Sequence, residues 1–424
     1  EGPGDGVGGD QETAIHQMMT GLEVRATSTE PPQDQIDRQE LLRERERDDY
    51  DAETPTTATN ELPKIGTLHL AVLIFYSVSG GPFGIEPAVR SGGALFTLLG
   101  FFVLTLIWCV PEALVTAELS TTFPEDGSGG VVWVEQAFGS PMVAYMIGCL
   151  SWIAGATDNA IYPGLFLDYL FHDDEFGDNH IHITWNLRLV LLFSMSVILI
   201  YINHRGLEWV GNVSLGLCFM TMSPFVVFCL VGMFKVDPQR WLQTPPPPPV
   251  ENNAAGCLAR MMQSVYWRPF LNNLFWNLNY FDGAASFAAD VRQPSVVFPR
   301  AMLMAVFLVV LGYMLPLLVA LGAAETSPED WVDGFMATVV SRVVHPWLGA
   351  WVVLAAGVAN LGLFQAEFAS DALKLCGMAQ RGYLPPIFAR RHARYGTPTY
   401  AILLGGIVVM ALCPMQLNTL LELL

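Results

Sequence analysis

The stretch Ser79-Gly80-Gly81-Pro82-Phe83-Gly84 falls in the middle of an apolar run that opens near His69. In a soluble helix each glycine costs about 1 kcal/mol and a proline about 3, so this cluster is expected to open the hydrogen-bond ladder. Lipid cannot satisfy the backbone groups that are freed. They must face protein, a cavity or a ligand. A simple kink is the plainer alternative, because membrane helices tolerate Gly and Pro. A second interruption follows in the apolar block that begins near Phe270: Asn279-Tyr280-Phe281-Asp282-Gly283-Ala284-Ala285-Ser286. Two interrupted helices at corresponding places, five spans apart, are the sequence pointer to a transporter built from inverted repeats with a midplane site.

Both interruptions lie in a chain made of such blocks. Apolar residues make up 52% of it and charged residues only 14%, which excludes an ordinary soluble domain. A crossing needs about 20 apolar residues, and nine blocks from Thr67 onward qualify: 67–89, 94–117, 141–170, 187–203, 211–233, 270–291, 300–322, 346–375 and 398–414. A tenth opens near Pro414 and is cut at Leu424, so the expectation is an all-α membrane domain over 65–424 that is C-terminally truncated within its tenth helix. The first block follows a long polar segment and does not read as a cleavable signal peptide. Residues 1–64 carry 16 acidic and six basic side chains, including the run Arg43 to Asp49, and read as a disordered cytosolic tail.

The formal charge of −19 argues against nucleic acid as a partner and favours cations. The basic segment with Arg390, Arg391 and Arg394 falls on the same side as the tail, as the positive-inside rule expects. Seven scattered cysteines show no metal spacing and read as small buried apolar residues. The loop with His172, His180 and His182 reads as solvated rather than as a metal site. Trp133, Trp152, Trp185 and Trp241 fit interface anchoring. No nucleophile-and-base pair points to an enzyme, and no cofactor is expected.

Acids inside the membrane are functional candidates by default, since a charge at a helix centre costs about 2.5–3.5 kcal/mol on insertion scales. Asp282, in the second interruption, is expected either to hold an ammonium group with the freed carbonyls or to cap the half-helix that follows. Gly155, Asp158, Tyr162 and Tyr169 share one helix face, where a ring beside a carboxylate suits an alkylammonium. For Asp158 and Asn159 an inter-helix hydrogen bond is the competing reading. Asn360, Glu367 and Asp371 form another stripe. Glu367 is a candidate cation contact or proton acceptor, and Asp371 a coupling or gating candidate for which pairing with Lys374 or Arg381 is the competing use. Glu118 is a candidate gate or structural pair. The expected substrate-binding set is Gly80, Gly81, Phe83, Gly84, Asp158, Asn159, Tyr162, Tyr280, Phe281, Asp282, Gly283 and Glu367.

The stretches GGPFGIEPAV (80–89), PEALVTAELSTTFPEDG (111–127), ATDNAIYPGLFLDYL (156–170), LFWNLNYFDGAASFAADVRQP (274–294) and AEFASDALKLCGMAQRGYLPPIFARRHARYGTP (366–398) resemble the amino acid, polyamine and organocation transporters. The likeness is greatest to the polyamine uptake transporters. It implies the five-plus-five inverted-repeat fold with discontinuous first and sixth helices, and proton-coupled import of putrescine- or spermidine-like cations at the plasma membrane. Where that family commonly reads Gly-Glu-Val, this chain reads Ala289-Asp290-Val291, with a shorter carboxylate. An amino acid permease of the same superfamily and a non-transporting membrane protein or inactive fragment are the alternatives.

Overall fold

The computed structural model describes residues 64–171, 184–245 and 261–415. The expected tail, the His172–His182 loop, the proline run past Pro245 and the tenth span lie outside these residues. The described chain is helical, and its one bridge pairs Ile65 with Val291.

The first apolar block becomes α1 (Thr67–Val78), ended by the extended residue Ser79. The chain resumes as α2 (Glu86–Leu104), a π-helical turn (Thr105–Cys109) and α3 (Val110–Thr122), a 37-residue apolar run. That run contains a turn. Gly93 has φ 69°, and a Cβ there would meet Pro245 and Thr244, so the first two expected spans join at this glycine. A short helix, α4 (Gly130–Phe138), leads to α5 (Pro141–Phe171), α6 (Trp185–His204) and α7 (Leu207–Gly232).

The second interruption also follows a short helix. Helix α8 (Trp267–Leu278) has 12 residues, as α1 has, each spanning about 18 Å or roughly half a hydrocarbon core. After Asn279 and Tyr280 the chain tightens into a 3-10 helix, Phe281–Asp290. Then follow α9 (Pro294–Ala323), α10 (Phe335–Val343), α11 (Pro346–Gln380) and α12 (Thr399–Leu412).

Five helical stretches are long and apolar enough to cross a membrane: Glu86–Thr122, Trp185–His204, Leu207–Lys235, Pro294–Ala323 and Pro346–Gln380. The expected count of nine therefore does not appear as nine uniform apolar rods. Breaks shorten the blocks at 67–89 and 270–291, α12 has 14 residues, and Asp158, Asn159 and Asp168 dilute the 31-residue α5.

Helix α11 is the axis of the bundle, packed on α5, α7, α10 and α12. Lipid supplies no hydrophobic drive between helices, so close approach must come from small side chains. Ala355, Ala356, Gly357, Ala359, Gly362 and Ala366 provide it along α11, and the Tyr76 ring of α1 lies directly on Gly362.

Candidate functional site

At the first break the freed backbone groups find partners in the protein. Ser79 Oγ accepts from Gly81 N at 3.1 Å, and Phe83 N donates to Gly81 O at 2.7 Å. The Gly84 carbonyl accepts from Asn273 Nδ2 (2.7 Å) and Asn277 Nδ2 (3.2 Å) of α8, while Tyr313 of α9 donates to Asn277 Oδ1 at 2.8 Å. Gly81 and Gly84 have φ 115° and 73°, in the region that glycine alone enters readily. The two interrupted helices are thus hydrogen-bonded to each other.

The second break is held by the π turn and α3. Cys109 Sγ donates to the Leu278 carbonyl at 3.1 Å, Trp108 Nε1 donates to Asn279 Oδ1 at 3.1 Å, and Glu112 Oε1 accepts from Phe281 N at 2.9 Å. One short segment of chain therefore satisfies both sides of the gap. Tyr280 takes φ 77°, unusual for a residue with a Cβ, and holds a half-exposed ring at the break.

Three carboxylates gather beside these breaks. Asp158 on α5 and Glu367 and Asp371 on α11 lie within electrostatic reach of one another, and Tyr280 is in reach of Asp158 and Glu367. Tyr162 Oη donates to Glu367 Oε1 at 2.6 Å. Asp371 accepts from Asn159 Nδ2 at 3.2 Å and pairs with Lys374 at 3.3 Å. Asp158 has no hydrogen bond or ion pair among the described residues. Ser370 Oγ donates to the Gly283 carbonyl at 2.9 Å, tying α11 to the second break, while Gly80 packs on Ala359 and Leu363. Three carboxylates thus face one ammonium, Lys374, in the interior of the bundle.

Other expected residues lie elsewhere. Phe281 is wholly buried in the apolar core and is not available to line a site, because the tight 3-10 turn directs its ring inward. Phe83 is half-buried and packs edge-on against Phe225, with ring centroids 5.3 Å apart. Asp282 is exposed, and its alternative capping role is filled by Glu112. Glu118 is exposed on α3, away from the acid cluster, with its carbonyl accepting from Thr121 and Thr122. Arg381 pairs with Asp126 and Glu135 rather than with Asp371.

Sequence reading missed Glu86, Asn277 and Tyr313, and gave Glu112 and Cys109 no part in holding the breaks. Glu86 follows the first break and is buried, near the backbone N–H groups of Gly334 and Met336. An acid one residue before a proline at a helix start was the available signal for it. Glu86 Oε2, Glu112 Oε2 and Asn159 Oδ1 are buried acceptors without a partner in the described residues. Such atoms are costly when unsatisfied, and an ammonium group or a proton satisfies them.

A crevice of about 10 Å³ between Trp152, Asn159, Phe368 and Asp371 touches the acid cluster, and cavities of about 410 and 350 Å³ lie elsewhere. The larger is bounded by Asp126 and Arg381. Beside it, burial alone would lift the Glu135 carboxyl, but the Arg381 guanidinium outweighs this and brings it below its ordinary 4.5. A depressed carboxylate stabilises the fold above its ordinary value, and that contribution is lost as pH falls through the native one. Thermal midpoints of wild type should therefore drop below pH 4.5 more steeply than those of Glu135→Gln; parallel curves would refute this.

Comparison with known proteins bears on the same region. The model of the family described as amino acid permease matches residues 65–424. The chain is 43% identical over 364 residues to a probable polyamine transporter of Arabidopsis thaliana, covering 85% of this chain and 71% of that protein. It is 40% identical over 362 residues to the polyamine transporter RMV1 of the same plant, covering 85% and 69% respectively. Against the polyamine transporter PUT1 of Oryza sativa subsp. japonica it is 40% identical over 353 residues, covering 83% and 62%.

Proposed function

The chain belongs to the amino acid permease family, and on that footing we propose that it is a secondary active carrier that imports polyamines such as putrescine or spermidine, driven by protons. The observation that carries this reading is the excess of interior carboxylates: Asp158, Glu367 and Asp371 against the single Lys374, beside two helix breaks. A diamine brings two ammonium groups and would neutralise that excess. The names of the similar plant proteins point the same way.

In this reading residues 65–424 form the carrier, with five-plus-five inverted repeats, and 1–64 a cytosolic tail. The equal lengths of α1 and α8 and their matching breaks support the repeat. Asp158 and Glu367 take the ammonium groups, Tyr162 and Tyr280 offer ring faces, and Asn159, whose Oδ1 has no partner among the described residues, completes the lining with the backbone at Gly80. Glu367 also accepts the coupling proton, since the hydrogen bond from Tyr162 orients one oxygen and leaves the other for exchange. Asp371, paired with Lys374, positions Asn159 and the α5–α11 contact. Helix packing around the breaks then alternates access, in the plasma membrane.

Import of amino acids is the second reading, favoured by the description of the family. A zwitterion needs a positive helix end for its carboxylate, and Glu86 already occupies the first turn of α2. Uptake of radiolabelled putrescine into vesicles holding the full-length protein separates the readings. We expect uptake that rises with an inward proton gradient and is competed by spermidine. Gradient-independent uptake would sink the coupling, and competition by leucine or arginine in place of spermidine would favour the second reading.

A further inference from the structure

At the end of α6 the chain turns a corner through Arg205 and Gly206 into α7, and the segment 390–397 packs over that corner. Thr397 Oγ1 donates to the His204 carbonyl at 2.9 Å, and the Gly206 backbone (φ 119°) runs under the Tyr395 carbonyl. The result gathers four basic side chains around one ring. The guanidinium carbons of Arg205 and Arg394 lie 5.2 and 5.6 Å from the centroid of Tyr395, His392 stacks on that ring at 4.7 Å, and His204 meets it edge-on at 5.6 Å.

No acid among the described residues balances this group. Neither Arg205 nor Arg394 forms an ion pair with a described residue, and Arg205 Nε is buried without an acceptor. Its Nη1 donates to Tyr201 Oη at 3.0 Å. The nearby Arg391 is committed to Asp290 at 2.5 Å, and Glu208 is exposed and makes no bridge to the cluster. Cation–π contact offsets part of the crowding of like charges, and an anion would offset the rest.

The cluster also has a tail-shaped extension. Phe193, Val197 and Tyr201 recur every four residues on the outward face of α6, 37%, 53% and 55% exposed, and the ladder ends on Arg205. From Phe193 to Arg205 the rise is about 18 Å, close to the depth of one leaflet. Trp209, 53% exposed with its ring 5.2 Å from the Arg205 guanidinium, flanks the head of the stripe as interfacial aromatics do. A planar guanidinium fork matches phosphate oxygens two at a time, and an acyl chain fits an outward apolar ladder.

We propose that Arg205 and Arg394, clamped on Tyr395, hold the phosphate of an anionic phospholipid whose acyl chain lies along Phe193, Val197 and Tyr201. The lipid pins the α6–α7 corner to the 390–397 segment that follows α11, on the membrane face where α1 begins. This assignment is independent of the transported substrate.

Native mass spectrometry of the purified full chain in neutral detergent, with equal phosphatidylglycerol and phosphatidylcholine added, tests it. Wild type is expected to retain phosphatidylglycerol over phosphatidylcholine. Each interfacial cation contributes roughly 1 kcal/mol, so Arg394→Gln should lose about fivefold in that preference and the Arg205→Gln, Arg394→Gln pair about 25-fold. Arg394 is exposed in its loop, so the single variant reads out even if the double variant folds poorly. Arg268→Gln, at the start of α8, should leave the preference unchanged. Equal retention of the two lipids by wild type, an unaltered preference in Arg394→Gln, an equal loss in Arg268→Gln, or displacement of the lipid by inorganic phosphate would overturn the proposal.

Discussion

Replacing Glu367 with glutamine is expected to cut putrescine uptake at least tenfold while leaving a folded protein in the membrane. Glutamine keeps the volume and can still accept the hydrogen bond from Tyr162, which in the native protein reaches Glu367 Oε1 at 2.6 Å. What it removes is the charge. A hydrogen bond to an ionised group is worth about 1.5–3 kcal/mol, which corresponds to roughly tenfold to a hundredfold in binding. The change also deletes the group assigned to accept the coupling proton, so stimulation by an inward gradient should vanish with it. Initial rates normalised to surface protein make the comparison, with Tyr162→Phe as a milder companion that keeps the carboxylate. Wild-type uptake by Glu367→Gln, still stimulated by the gradient, would remove Glu367 from both roles.

The second large effect is expected at Gly155, which faces Asp371 across the α5–α11 contact. A Cβ added there would lie 2.7 Å from Asp371 Oδ1 and closer still to Oδ2, too near for either atom to stay. The carboxylate would have to leave Asn159 and Lys374, its partners at 3.2 and 3.3 Å. Overpacking of this kind costs about 1–3 kcal/mol, and a displaced interior acid adds to it. Gly155→Ala should therefore lower the thermal midpoint and uptake together. Gly164→Ala is the control on the same helix, since its nearest neighbour, Arg188 Nη2, is 4.0 Å from the added atom. Equal behaviour of the two variants would show that Asp371 does not need its position.

The parts of the site that were legible in the sequence are those encoded within one helix. Gly80–Gly84 and Asn279–Gly283 announced the breaks through their own composition, and Glu367 and Asp371 fell on one face of α11 by spacing alone. Asp371 was expected to pair with Lys374 or Arg381, and it pairs with Lys374. The illegible parts are contacts between distant segments. Glu112 and Phe281 are 169 residues apart, as are Cys109 and Leu278, and nothing near Glu112 indicates which backbone it will cap. Cys109, read as a small apolar residue, turns out to be a hydrogen-bond donor to a broken helix end for the same reason. Phe281 belongs by sequence to the second interruption and so to the expected site. In a 3-10 turn successive side chains diverge by about 120°, so neighbours in sequence face different surroundings, and Phe281 goes to the core.

The claim that ties these observations together is that interior carboxylates recognise two separated ammonium groups. Titration calorimetry of the purified full-length protein with putrescine, n-butylamine and leucine tests it in one series. The account predicts heat from putrescine, much weaker binding of n-butylamine, which has one ammonium group on the same carbon chain, and no binding of leucine. Binding of leucine with none of putrescine, or equal affinity for putrescine and n-butylamine, would contradict it.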